Sequence, residues 1–168
     1  YFLDSLISYL IIIIGSLIVS IVSFNIPHNL YYFYPIAKNK KEQSIILSHT
    51  FFSLLIIGFF SCLLILSLLP IAEFFLDTSF NLNNIYLLIF YIFFSIINRS
   101  FDNLFVIEGK SKVAMYYYSI NKIIRGLFLI LPTIYFNSLL YTLVGLTIYL
   151  FIVFIFFYIY LRYNYKIS

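Results

Sequence analysis

The chain has 168 residues, of which 64% are hydrophobic and only 10% are charged. This small number of charged side chains cannot cover the surface of a water-soluble domain of this size. The composition therefore excludes an ordinary soluble domain and indicates a membrane protein. The formal net charge of +4 comes from lysines and arginines grouped between apolar segments, which does not indicate nucleic-acid binding.

Five apolar segments approach the length of about 20 residues that a helix needs to cross a bilayer. In chain order they are Leu6 to Phe24, Ile45 to Leu69, Ile85 to Ile97 with an apolar extension to Ile107, Val113 to Leu131, and Leu139 to Leu161. We therefore predict an all-α, polytopic transmembrane bundle of five helices that forms one domain over residues 1–168.

Local signals predict where several of these helices bend, begin or end. The helical pattern of the first segment continues to about Ala37, so Pro27 is predicted to kink it. Ser44 is the predicted N-cap of the second helix. Gly109 is the predicted C-cap of the third helix.

Lysine and arginine occur in every other gap between the predicted helices. They are Lys38, Lys40 and Lys41 in the first gap, Lys110 and Lys112 in the third, with Arg99 just before it, and Arg162 and Lys166 after the last helix. The remaining outer segments contain Asp4, Glu73, Asp77 and the uncharged region around Asn137. Because cytoplasmic loops collect Lys and Arg, this alternation predicts that Tyr1 lies outside and Ser168 in the cytoplasm.

Two cations lie well inside the fourth predicted helix. Counted from Lys112 at about 1.5 Å per residue, Lys122 and Arg125 lie roughly 15 and 20 Å along it. A cation at the bilayer centre costs about 2.5–3.5 kcal/mol on insertion scales. Asp102 and Glu108 are assigned to the inner edge of the membrane, so no acid is expected at the depth of these cations.

Two interpretations of these cations remain open. In one, Lys122 and Arg125 extend their side chains to the inner interface. In the other, they line a cationic cavity that binds phosphate, with Asn121 beside them. In that case their positive charge is compensated by water in the cavity, by a helix outside this chain or by an anionic substrate. Arg99 and Asp102 are spaced i,i+3 and can pair with each other.

Two stretches carry a resemblance to a known family. Residues 25–50, NIPHNLYYFYPIAKNKKEQSIILSHT, end a membrane helix in a short basic turn before the next helix. Residues 98–125, NRSFDNLFVIEGKSKVAMYYYSINKIIR, combine a polar helix end, a Gly-Lys turn and a helix with internal cations. The chain thus resembles the O-antigen and polysaccharide flippases of the multidrug/oligosaccharidyl-lipid/polysaccharide exporter superfamily. Since that family has two six-helix lobes, the resemblance implies a fragment, helices two to six of the N-terminal lobe, of a MATE-like twelve-helix transporter.

The resemblance also implies a function. Such a protein flips an undecaprenyl-diphosphate-linked oligosaccharide across the bacterial inner membrane, driven by an H⁺ or Na⁺ gradient or by the membrane potential. It is not an enzyme, and we expect no cofactor, catalytic residue or metal site. Family members line their cavity with cations that meet the diphosphate or acidic sugars, which makes Arg125 and Lys122, with Asn121 beside them, the substrate-binding candidates.

Three other functions remain as alternatives. A membrane polysaccharide polymerase or glycosyltransferase needs a sizeable soluble loop with catalytic Arg, His or Asp, and every loop here is short. A multidrug exporter of the same superfamily favours acids in its cavity, and none is expected at mid-depth. A packing module or channel subunit is the third. His28 and His49 lie near one end of the first hairpin, where polar contacts are favoured over metal binding.

Overall fold

The computed structural model describes residues 17, 19–21, 23, 26–76, 82–136 and 139–165. Within these residues the chain contains helices and short turns but no strand, which confirms the predicted all-α fold class. The helices are α1 (Ile26–Ile36), α2 (Lys40–Leu76), α3 (Leu82–Ile107), α4 (Ser111–Phe136) and α5 (Leu139–Tyr165). Several positions used in the topology prediction lie outside the described residues, namely Tyr1, Asp4, Asp77, Asn137, Lys166 and Ser168.

Four helices, α2 to α5, are long and apolar enough to span a membrane. They correspond to the second to fifth predicted helices and support a multi-pass membrane protein. Most of the first predicted helix, Leu6 to Phe24, lies outside the described residues. The fifth helix in the described part of the chain is therefore a different element, the short α1.

α1 is a separate helix rather than the kinked continuation predicted across Pro27. The chain turns at Ser23, whose carbonyl accepts a hydrogen bond from the Ile26 N–H at 2.8 Å, and α1 begins at Ile26. Pro27 thus lies in the first turn of a helix, where its missing N–H leaves no helical bond unmade and its fixed φ favours the fold. Proline here begins a helix instead of bending one.

α2 begins at Lys40, before the N-cap that we predicted at Ser44. The cap is Asn39, whose side-chain oxygen accepts the Glu42 N–H at 2.9 Å, while the Glu42 carboxylate accepts the Asn39 amide at 3.2 Å. This reciprocal arrangement satisfies donors at the helix start, so the prediction of Ser44 is wrong. The Ser44 hydroxyl instead donates to the carbonyl of Tyr165 on α5 at 2.7 Å.

The predicted C-cap at Gly109 is confirmed. Gly109 has a φ of 73°, a left-handed conformation that glycine adopts without a side-chain penalty. Its N–H donates to the Val106 carbonyl, and the Lys110 N–H donates to the Phe105 carbonyl, both at 3.0 Å. These bonds close α3 and let α4 start at Ser111, so the two helices run antiparallel as neighbours.

α3 is the central helix of the described bundle and packs against each of the other four. Its inward face carries fully buried Ile92, Ile96 and Ile97. α5 packs closely against α4, because a Cβ at Gly145 would lie only 2.9 Å from the Phe128 carbonyl oxygen. Close approach through a small residue is a common way for membrane helices to associate.

The basic segments meet at one end of the bundle. Near the end of α5, the Tyr165 hydroxyl hydrogen-bonds the hydroxyl of Tyr34 on α1 and the carboxylate of Glu108 at the α3–α4 turn. We call this the basic end, because it carries Lys38, Lys40, Lys41, Lys110, Lys112 and Arg162. The described basic gaps thus share one end of the bundle, as an alternating topology requires.

Candidate functional site

A polar cavity of about 290 Å³ opens between α3, α4 and α5, beside the segment that precedes α1. Three cations and one acid line it, so the ionised side chains leave an excess of two positive charges. The lining residues are Leu17, Val19, Ser20, Tyr91, Ser95, Asn98, Arg99, Asp102, Asn121, Lys122, Arg125, Tyr149, Leu150 and Val153. All three residues predicted to bind substrate, Arg125, Lys122 and Asn121, belong to this set.

Helical periodicity brings these side chains together. On α3, Tyr91, Ser95, Asn98 and Asp102 follow one another at intervals of four, three and four residues, which places them on one face. The same helix presents its apolar face to the core. α3 therefore carries a polar stripe toward α4 and α5 inside a span that is otherwise apolar.

Arg125 lies part-buried in the cavity wall. Its guanidinium donates a hydrogen bond to the hydroxyl of Tyr91 on α3 at 3.1 Å. No carboxylate among the described residues lies within the 4.0 Å that defines an ion pair with it. A neutral hydroxyl thus holds the guanidinium, and its charge is not cancelled by direct contact.

Asp102 lies deeper than the sequence suggested. Its carboxylate accepts a hydrogen bond from the Asn121 amide at 3.3 Å, and the charges of Lys122, Arg125 and Arg99 all act on it. The expectation that no acid lies at the depth of these cations is therefore wrong. Helical side chains lean toward the N-terminus of their own helix, so those of antiparallel α3 and α4 lean toward each other across the offset between their backbones.

The i,i+3 spacing allows Arg99 to pair with Asp102, but the two do not form an ion pair. Its guanidinium donates to the hydroxyls of Ser23 at 3.0 Å and Ser20 at 2.7 Å. These contacts tie the segment before α1 to α3 beside the cavity. Ser23 is fully buried, so the interaction fixes one wall of the site.

Lys122 lies at the exposed edge of the cavity. Its ammonium lies 4.9 Å from the centre of the Tyr118 ring, a cation–π contact with a residue one turn earlier on α4. Asn121 contacts two helices. Its side-chain amide donates to Asp102 on α3, and its backbone carbonyl accepts a hydrogen bond from the Tyr149 hydroxyl of α5 at 3.1 Å. The two residues thus differ, since Asn121 is in the wall and Lys122 at the rim.

Asn98 and Ser95 add polar groups to the cavity wall. Asn98 is 6% exposed and donates its amide to the carbonyl of Leu150 on α5 at 2.8 Å. The Asn98 side-chain oxygen and the Ser95 hydroxyl are buried without a hydrogen-bond partner in the described part of the chain. Both residues line the cavity, so its α3 wall is polar.

Sequence reasoning missed Arg99, Tyr91, Asn98 and Tyr149 as members of the site. The signal was present for α3, where the period of its polar residues places Tyr91, Asn98 and Asp102 in one stripe. Tyr149 gave no such signal, because a tyrosine in an apolar span is equally typical of packing or of the interface.

A second set of interacting polar side chains lies outside the cavity, at the basic end. We call it the Glu108 cluster, and it comprises Glu108, Lys110, Tyr34, Tyr160 and Tyr165. The Glu108 carboxylate accepts hydrogen bonds from Tyr160 at 2.6 Å and from Tyr165, and forms an ion pair with Lys110 at 2.7 Å. The hydrogen bond to Glu108 raises the pKa of the Lys110 ammonium. The cluster joins α1, α5 and the α3–α4 turn.

Among the described residues, no group of three or more His, Cys, Asp or Glu side chains is arranged to hold a metal ion.

Comparison with protein-family models, curated proteins and solved structures found no match.

Proposed function

We propose that the chain is part of a multi-pass transporter of the bacterial inner membrane that flips lipid-linked oligosaccharide, an undecaprenyl-diphosphate glycan, to the outer leaflet. The observation that supports this best is the cavity among membrane-spanning helices where three cations face one acid. The resemblance of residues 25–50 and 98–125 to polysaccharide flippases points the same way. An H⁺ or Na⁺ gradient or the membrane potential drives the step.

Arg125 carries a charge that is costly inside a membrane. A guanidinium at this depth costs about 2.5–3.5 kcal/mol on insertion scales, and its one bond to the Tyr91 hydroxyl, at 3.1 Å, recovers about 1.5 kcal/mol of that. A cation that destabilises the protein in this way is expected to have a functional role, such as binding an anionic substrate. Phosphate matches the fork of guanidinium donors bidentately, and the excess positive charge of the cavity attracts a diphosphate.

The proposed orientation places the basic end in the cytoplasm, because positively charged loops are retained there. On a Cys62→Ser background, cysteine at Lys40 or Lys110 should react with an impermeant thiol reagent only after the cells are permeabilised. Cysteine at Asn137 should react in intact cells. Labelling of the Lys40 variant from outside would overturn the orientation.

A test in cells uses the complete protein in a strain whose surface polysaccharide depends on it. Arg125→Ala should abolish surface polysaccharide while the membrane level of the protein stays normal, and Arg125→Lys should recover part of it because charge remains and the fork is lost. Lys122→Ala should have a milder effect, since Lys122 lies at the rim. Arg162→Ala is the matched control, because this exposed arginine lies outside the cavity. Normal polysaccharide with Arg125→Ala would contradict the proposal.

Asp102 favours one second candidate, a multidrug exporter that uses this carboxylate to bind cationic drugs. The balance of three cations to one acid favours an anionic substrate instead. Drug susceptibility separates the two functions, since Asp102→Asn should sensitise the host to cationic drugs only if the exporter function is correct.

A further inference from the structure

Asp102 is the single acid among the described residues that line the cavity, and few of its acceptor positions are taken by other protein groups there. An ionised carboxylate offers about four acceptor positions. Within the described chain, the Asn121 amide at 3.3 Å is its one hydrogen-bond donor. No cation there approaches within the 4.0 Å of an ion pair, although three of them line the same cavity.

Each of those cations is held by a neutral partner instead. Ser20 and Ser23 hold Arg99, the Tyr91 hydroxyl holds Arg125, and the Tyr118 ring lies beside Lys122. The opposite charges have therefore not collapsed into ion pairs inside the bundle. As a result, the cavity presents strong donors and a strong acceptor side by side.

A ligand that satisfies both needs an anionic group and hydrogen-bond donors a short distance from it. A sugar phosphate has this chemistry, because its hydroxyls lie on the ring that bears the phosphate. Hydroxyls form short, charge-assisted hydrogen bonds to carboxylates. A bare phosphate, or one esterified to a simple alkyl group, supplies the anion without the ring of hydroxyls.

We infer that Asp102 is a specificity-determining residue, whose carboxylate accepts hydroxyls of the sugar next to the phosphate that Arg125 binds. This inference rests on the proposed function and adds how the site recognises the glycan. Specificity is a difference between two affinities, and Asp102 acts on both. It attracts the hydroxyls of a glycosyl phosphate, and its negative charge opposes a phosphate that carries no such donors.

The test measures binding of two probes of similar charge, glucose 1-phosphate and methyl phosphate, to the complete protein in nanodiscs by calorimetry at neutral pH. The wild type should bind glucose 1-phosphate about tenfold or more tightly than methyl phosphate, as hydrogen bonds to a charged acceptor predict. Asp102→Asn keeps the shape and an amide contact to Asn121, and should reduce that ratio to within about threefold. It should also tighten methyl phosphate binding, because the opposing charge is gone.

Asp102→Ala, with folding checked by circular dichroism, provides a second variant and should reduce the ratio at least as far. Arg125→Ala should weaken both probes together, since it removes the phosphate contact. An unchanged ratio in both Asp102 variants, with both probes still dependent on Arg125, would overturn the specificity role and leave the proposed function intact. If neither these probes nor a prenyl-linked glucosyl phosphate in the nanodisc binds the wild type, the proposed function and this inference both fail.

A glycosyl phosphate reaches such a site either free in solution or carried on a prenyl lipid. A prenyl-linked glucosyl phosphate in the nanodisc should compete with free glucose 1-phosphate and bind more tightly if the lipid form is the ligand. Equal affinity of the two forms would assign a soluble sugar phosphate. In both cases Asp102→Asn should weaken the glucosyl probes, and failure to do so would count against the role of Asp102.

Discussion

At the basic end of the bundle Glu108 accepts hydrogen bonds from two tyrosines and an ion pair from Lys110, whereas in the cavity Asp102 accepts one bond, from Asn121. Both are acids of α3 or the turn that follows it, and both have cations nearby. The Glu108 side chain is 6% exposed and its oxygens have partners on α5 and on Lys110. The difference separates a charge whose direct partners join neighbouring helices from charges that no ion pair among the described residues neutralises.

The largest expected effect on stability follows loss of the Glu108 carboxylate. Glu108→Ala removes the acceptor of two tyrosines and a lysine, and should lower the free energy of unfolding by about 3 kcal/mol, because hydrogen bonds to charged groups are strong and the partners are left unpaired. Thermal unfolding in nanodiscs measures it. Glu42→Ala removes an exposed carboxylate that accepts the Lys38 N–H and the Asn39 side-chain amide at the start of α2. It is the control and should cost only about 1 kcal/mol. Equal losses in the two variants would remove the special role of the cluster.

The second effect has the opposite sign. Arg125→Leu should raise the free energy of unfolding by about 1.5 kcal/mol, since it removes the cost of a cation at depth and loses one bond between the guanidinium and a hydroxyl. Transport should vanish in the same variant. If Arg125→Leu instead unfolds the protein, Arg125 belongs with Glu108 as a structural residue.

Close packing between α4 and α5 gives a smaller effect. Gly145→Ala places a Cβ 2.9 Å from the Phe128 backbone oxygen, which cannot turn away, and should cost about 1 kcal/mol or somewhat more. Gly126→Ala meets no atom within 4 Å and should be neutral or slightly stabilising, because alanine favours helices. The pair is compared by thermal unfolding. Equal changes in stability at Gly126 and Gly145 would contradict the packing account, because helix propensity alone predicts the same small gain at both positions.

The smallest effect is a pH dependence at the basic end. The hydrogen bond to Glu108 raises the pKa of Lys110 in the folded protein, so its stabilisation is complete below about pH 10.4, the value of an unfolded lysine. It is lost as the pH rises through the higher folded value. Lys110→Gln should therefore flatten the decline of the melting temperature above about pH 10.4, by a small amount because Lys110 is half exposed. The melting temperature of Lys112→Gln should decline with pH as that of the wild type does.

The four long helices were predictable because span length and apolar composition decide them before any tertiary contact forms. The end of α3 at Gly109 was predictable for a local reason, because glycine readily adopts the left-handed φ that ends a helix. The start of α1 at Ile26, one residue before Pro27, was not predictable, because proline fits both a kink and a first turn, and the choice depends on the turn at Ser23. Where two signals of equal strength compete, the sequence alone leaves the boundary open.

The cavity was predictable in part. Arg125, Lys122 and Asn121 stood out because charge and amide groups are costly in an apolar helix. The depth of Asp102 was missed because backbone position gives the height of a Cα, whereas the side chains of antiparallel helices lean toward each other. The partners of Arg99 were missed because i,i+3 spacing permits an ion pair with Asp102 without excluding Ser20 and Ser23.

The central claim is that the unpaired cations of the cavity bind an anionic lipid-linked glycan during transport. The most direct test is transbilayer movement of a fluorescent prenyl-diphosphate oligosaccharide in proteoliposomes that contain the complete protein. The wild type and Arg162→Ala should move the lipid at similar rates, while Arg125→Ala should fall to the rate of protein-free vesicles. Movement by Arg125→Ala at the wild-type rate would contradict the account.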